Sequence, residues 1–159
     1  MLRFHSDSAE ETVELGLKLG RILQGGETIC LMGDLGTGKT AFTGGIARAL
    51  DIAGYITSPT FTIVNEYEGK LPLYHFDVYR INDTDEMFEI GYEEYINSSG
   101  IKVIEWADRI EGILPNERID VTIQKDDAGN PDSRIITMCF CGEKVSGYER
   151  RLSDESIGN

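Results

Sequence analysis

Basic residues are scarce: 15 lysines and arginines stand against 28 aspartates and glutamates, a formal net charge of −13. A surface this acidic repels phosphate backbones, which argues against DNA or RNA binding by this chain alone. It can equally attract a basic protein partner or simply keep the chain soluble. Three cysteines are too few for a disulfide framework, so a reducing cytosol fits. Cys139 and Cys141 fall on the same face of an expected strand and read as core packing, there being no further cysteines nearby to complete a zinc site. No apolar run approaches membrane-spanning length, and the polar start Met1-Leu2-Arg3-Phe4-His5-Ser6 is no signal peptide. A cytoplasmic protein with no membrane partner is expected. Repeats, low-complexity segments and linkers are absent, so 159 residues are expected to form one domain, with residues 142–159 a polar tail that frays.

What is present is a phosphate-binding loop. Gly33-Asp34-Leu35-Gly36-Thr37-Gly38-Lys39-Thr40 meets every fixed position of the pattern G-x-x-x-x-G-K-[ST]. Glu27 to Met32 reads as a short buried strand before it, and Ala41 to Leu50 as a helix after it. A strand running through glycines into a helix leaves backbone N–H groups unpaired and aimed at one point, where an anion can sit. The pattern assigns Lys39 to the β- and γ-phosphates and the Thr40 hydroxyl to Mg²⁺.

Around this loop the chain reads as an α/β domain. Ser8-Ala9-Glu10-Glu11 is a capping box opening a helix with Leu15, Leu19, Ile22 and Leu23 on one stripe, and Gly25-Gly26 stops it. Thr57-Ser58-Pro59-Thr60-Phe61 is a stiff, non-helical segment that presents Thr60, whose hydroxyl can sense a γ-phosphate as switch segments do. Thr62–Tyr67 and Leu71–Tyr79 read as a hairpin, and Asp83 opens a short helix that Gly91 closes. Ile101–Glu105 reads as a central parallel strand beside the loop strand. Asp77 and Glu105 are therefore two acids at strand C-termini, both candidates for Mg²⁺ or its waters, and spacing does not rank them. His75 has no partner triad and reads as structural; Trp106 as core, adenine platform or partner contact. Ile119–Lys125 and Arg134–Cys139 are two further strands joined by a turn-rich loop.

These pieces together resemble the TsaE (YjeE) family, the small bacterial ATPases of tRNA threonylcarbamoyladenosine formation. The resemblance rests on the loop, Ser58-Pro59-Thr60-Phe61, His75-Phe76-Asp77-Val78-Tyr79-Arg80 and Glu105-Trp106, in that order, and spans about Ser8 to Lys125. It implies a P-loop NTPase-like α/β fold, a mixed sheet flanked by helices in three layers. It implies weak, Mg²⁺-dependent ATPase activity in support of TsaD and TsaB, which modify adenosine in tRNAs reading ANN codons. Contact with tRNA is then only indirect. It implies that Leu35, Gly36, Thr37, Gly38, Lys39 and Thr40 wrap the phosphates of ATP and that Thr40 and Glu105 ligate Mg²⁺. It further implies that Asp77 acts on the attacking water, Thr60 senses the γ-phosphate and Arg134 makes a late nucleotide contact. Val78, Ile81 and Ala41 depart from common family residues without touching this chemistry. A small-molecule kinase and an ATP-dependent binding switch without required hydrolysis stand as alternatives.

Overall fold

Thr28–Met32 (strand β2) buries Ile29, Cys30 and Leu31 completely, which requires cover on both faces. A computed structural model, which describes residues 1–59, 62–127 and 129–157, shows how that cover arises. Among the described residues seven strands form one mixed sheet in the order β1-β7-β6-β2-β5-β4-β3. Arg118–Lys125 (β6), β2, Ile101–Glu105 (β5) and Leu73–Asp77 (β4) run parallel at its centre. Leu2–Ser6 (β1) and Arg134–Cys141 (β7) add antiparallel strands on one side, and Val64–Tyr67 (β3) adds one on the other. The mixed sheet, the hairpin β3–β4 and the central place of β5 beside β2 are as expected.

Ala9–Ile22 (helix α1) and Lys39–Ala49 (α2) cover one face. Leu15, Leu19, Phe42 and Ile46 pack there on Ile29, Leu31, Val103 and Val121. Ser8 caps α1 by accepting from the Glu11 N–H at 3.1 Å. The Glu11 carboxylate accepts from the Asp7 N–H at 2.6 Å, one residue earlier than in a capping box. The two helices cross backbone to backbone: a Cβ on Gly16 would strike the Phe42 carbonyl, and one on Gly45 the Val13 carbonyl. Glycine costs a helix about 1 kcal/mol relative to alanine, and here it permits that approach. Asp85–Glu89 (α3), Tyr92–Ile96 (α4) and a 3₁₀ segment, Ala107–Ile113, cover the other face over Cys30, Phe76 and Ile104. The result is the α/β/α layering.

Gly91, at φ +83°, follows the last residues of α3 and closes that helix as expected, and it also stands as the residue before α4. Two expectations change. The residues from Gly142 do not form a loose tail. Tyr148–Ile157 is a helix (α5) that, with Val145, buries Tyr148 and Leu152 against the α1 side of the sheet. Those few apolar residues, on one face of a polar segment, suffice to dock it. The Tyr148 hydroxyl donates to Glu27 at 2.6 Å and ties α5 to the start of β2. Cys139 and Cys141 share a face as expected, but they are half-buried rather than packed in the core.

Candidate nucleotide site

The C-terminal ends of β2, β5 and β4 converge on the N-terminus of α2, where open α/β sheets bind ligands. Gly36 and Gly38 adopt φ +76° and +110°, which turns the loop inward without a Cβ in the way. Gly38 is the residue before α2 and supplies no side-chain cap, and the first turn holds no acid. The helix N–H groups are left for an external anion. Thr37 is buried and its Oγ1 donates to the Asp34 carbonyl at 3.0 Å, while Leu35 at the loop tip is 81% exposed.

Arg134 braces the loop from behind. Its Nε donates to the Thr37 carbonyl at 2.8 Å and one Nη to the Gly36 carbonyl at 3.3 Å. The other Nη donates to the Pro131 and Ser133 carbonyls at 2.7 and 2.9 Å. Its donors are thus divided between two carbonyls of the loop and two of its own turn.

Lys39 is 5% exposed. Its Nζ donates to the Gly33 and Asp34 carbonyls at 2.7 and 2.8 Å and lies 4.1 Å from the centre of the Trp106 ring. Burial pulls its pKa below the usual lysine value, and Glu105, Asp77, Asp34 and Asp108 oppose that shift. Trp106, itself at φ +62°, packs on Tyr79 with ring centres 4.7 Å apart and planes inclined at 50°, and the Arg109 guanidinium lies 4.8 Å from the centre of the Tyr79 ring.

The two acids separate by geometry. Asp77 and Glu105 are register partners on adjacent parallel strands. Only Glu105 reaches the loop helix: the Thr40 hydroxyl donates toward its carboxylate oxygens at 3.2 and 3.3 Å. Ser58 joins them, its Oγ 2.9 Å from Thr40 Oγ1 and 3.3 Å from a Glu105 oxygen. Asp77 stands beside this cluster with its Oδ1 accepting from the Tyr79 N–H at 3.0 Å. Burial raises the Asp77 pKa above the ordinary carboxylate value, and Glu105 adds to that; the Tyr79 N–H, His75 and Lys39 pull the other way.

The loop, Ser58, Asp77, Glu105 and Trp106 line a cavity of about 310 Å³. A second cavity of about 350 Å³, with Pro59, Thr62, Ile63, Tyr79 and Arg80 on its walls, shares Ser58 and Asp77 with the first. Thr60, expected to be the sensing hydroxyl, lies outside the described residues.

The family described as "Threonylcarbamoyl adenosine biosynthesis protein TsaE" matches residues 6–135. The chain belongs to the TsaE family. The chain is 42% identical over 160 residues to the tRNA threonylcarbamoyladenosine biosynthesis protein TsaE of Bacillus subtilis, covering 99% of this chain and 98% of that one. It is 40% identical over 134 residues to the Treponema pallidum protein of the same name, covering 84% of this chain and 99% of that protein. The crystal structure of Bacillus subtilis YdiB matches with a TM-score of 0.81 at 36% identity, covering 98% of this chain and 95% of the other. The match to the Bacillus protein extends through α5, which lies beyond the family's matched stretch.

Sequence reasoning assigned no role to two residues that the structure brings to this cluster. Ser58 was legible as the residue before a proline and as part of the Ser58-Pro59-Thr60-Phe61 stretch, with no role for its hydroxyl, which bridges Thr40 and Glu105. His75, read as structural, contacts Glu105 through Nε2. The available signal was its place two residues before Asp77, on the same face of β4.

Proposed function

We propose that this chain is a magnesium-dependent ATPase of low intrinsic turnover that supports TsaB and TsaD in threonylcarbamoylation of tRNA adenosine. The observation that carries this reading is the Thr40–Glu105 couple at the N-terminus of the loop helix, with Asp77 in register beside it. The pathway comes from the names of the relatives.

The donor set fits the implied metal. Thr40, Ser58 and Glu105 offer hydroxyl and carboxylate oxygens within 3.3 Å of one another, hard ligands of the kind Mg²⁺ takes. Thr40 and Glu105 would hold it, and bound there it would offset charge on the β- and γ-phosphate oxygens. The loop N–H groups from Gly36 to Thr40 bind and orient the triphosphate, and Lys39 exchanges its loop carbonyls for β- and γ-oxygens. Arg134 supports nucleotide binding through the loop carbonyls it grips. Water attacks the γ-phosphorus, the bond to the ADP oxygen breaks, and Asp77 takes the water's proton. A half-buried carboxyl with a raised pKa suits that task. Thr60 keeps the part of a γ-phosphate sensor on sequence grounds.

Among the described residues Arg80 and Arg109 form no ion pair with either acid; Arg109 is stacked on Tyr79, and Arg80 lines the adjoining cavity. Without a free arginine on the γ-phosphate turnover stays slow, and a partner completes the site. Inorganic phosphate release should therefore rise when TsaB and TsaD are added. No change with the partners, or a phosphorylated small molecule as product, contradicts the proposal. The Ser58–Thr40 hydrogen bond favours a second reading, in which ATP serves mainly to order the segment around Pro59 for docking. Pathway support that survives Glu105→Ala, with hydrolysis lost, would select it.

A further inference from the structure

His75 is completely buried, and its Nδ1 is the one buried side-chain nitrogen or oxygen without a hydrogen-bond partner among the described residues. Its Nε2 meets Glu105 Oε2. A carboxylate only accepts, so Nε2 carries the proton, and the bare Nδ1 lone pair is the cheaper atom to leave unmet in an apolar setting. Glu105 is 3% exposed, and Lys39, the nearby cation, spends its donors on Gly33 and Asp34. Thr40 and Ser58 are the remaining neighbours of the carboxylate, and both contacts are long, at 3.2 to 3.3 Å. Nothing else among the described residues fixes which way its two oxygens point.

We infer that His75 is the positioning residue of the metal site: its Nε2–H holds one Glu105 oxygen so that the carboxylate faces Thr40 and a Mg²⁺–nucleotide. This rests on the nucleotide reading above and adds a residue to it. The strand register makes the device local. β4 carries His75 under Glu105 and, two residues on, Asp77 beside it, so one rigid strand sets both acids. The arrangement is the one by which a buried partner behind a ligand preserves metal affinity, and losing such a partner commonly costs about 10- to 100-fold.

The test compares binding of ATP in excess Mg²⁺ with binding of ATP in EDTA, read by fluorescence of Trp106, the single tryptophan. In His75→Leu the Mg²⁺-ATP affinity should fall at least about tenfold. Its affinity for ATP in EDTA should stay within about twofold of the wild type, less than the effect of one ordinary hydrogen bond. His75→Gln, which keeps an N–H donor, should recover most of the loss. Equal affinity for Mg²⁺-ATP in wild type and His75→Leu overturns the inference, as does a parallel loss in both conditions. A wild type without any Mg²⁺-dependent gain overturns the nucleotide reading and this inference with it. Nitrogen-15 NMR of the histidines decides the matter if His75→Leu does not fold, since His5 and His75 are the only two and His5→Gln assigns them. A His75 ring protonated on Nε2, with its signal moving on addition of Mg²⁺-ATP, supports the inference. A ring protonated on Nδ1 alone, or one that ignores the nucleotide, overturns it.

Discussion

Replacing Arg134 by methionine separates a brace from a direct nucleotide contact. The side chain gives two hydrogen bonds to the phosphate loop, to Thr37 at 2.8 Å and Gly36 at 3.3 Å, and two to its own turn at Pro131 and Ser133. A charge-assisted hydrogen bond contributes about 1.5–3 kcal/mol when shielded, and partial exposure reduces that. Two bonds, one of them long, therefore hold about 1–2 kcal/mol of loop order. At about 1.4 kcal/mol per tenfold, Arg134→Met should weaken Mg²⁺-ATP binding about 5- to 30-fold. The same substitution should leave ADP and ATP equally affected, because the loop serves both. Calorimetric titration with a non-hydrolysable ATP analogue and with ADP reads the result. A change below about twofold means the loop keeps its shape unaided, well short of one hydrogen bond's worth. A loss beyond about a thousandfold (about 4 kcal/mol) exceeds what the brace can supply and places the guanidinium on the nucleotide itself.

Three further outcomes test other parts of the account. Lys39→Ala should weaken Mg²⁺-ATP binding by about 100-fold, the effect of one charged donor on the β/γ oxygens; equilibrium titration checks it. Asp77→Asn should lower turnover about 100-fold and raise the melting temperature at pH 7, because it removes a carboxylate that burial and Glu105 disfavour. The folded state holds this proton more tightly than the unfolded chain does. The stabilisation is therefore full at neutral pH and fades as pH falls through the raised folded value towards about 4; melts across that range show it. Leu152→Ala should cost about 3 kcal/mol and lower the melting temperature by about 6–12 °C, since Leu152 is completely buried; a shift of a degree or less would mean that α5 is not docked.

The loop from Gly33 to Thr40 was legible because its chemistry is contiguous: eight consecutive residues carry the turn, the anion cradle and the lysine. Asp77 and Glu105 were legible as acids at strand ends, and β5 as the neighbour of β2, because both follow from local pattern. Their ranking was not. It depends on which acid faces the Thr40 hydroxyl, and that is set by strand order and register across residues 65 apart in sequence. His75 escaped for the same reason, its partner lying 30 residues away. Arg134 was placed near the nucleotide, but its grip on Thr37 spans 97 residues and emerges only once β7 folds back on β6. Helix α5 was hidden by its composition, because Val145, Tyr148 and Leu152 are too few to mark an amphipathic stripe in a charged segment. Gly91 was legible as the stop of α3, but the same positive φ also opens α4, and that second helix was not read from the sequence.

The central claim is a triphosphate–magnesium unit gripped between the loop helix and the end of β5, inside a chain of net charge −13. A crystal structure with Mg²⁺ and a non-hydrolysable ATP analogue tests it most directly. The account predicts phosphates against the N–H groups from Gly36 to Thr40 and one metal ion touching Thr40 Oγ1 and a Glu105 oxygen, with His75 still behind the carboxylate. Density for the nucleotide elsewhere, or a metal ion that leaves Glu105 untouched, contradicts it.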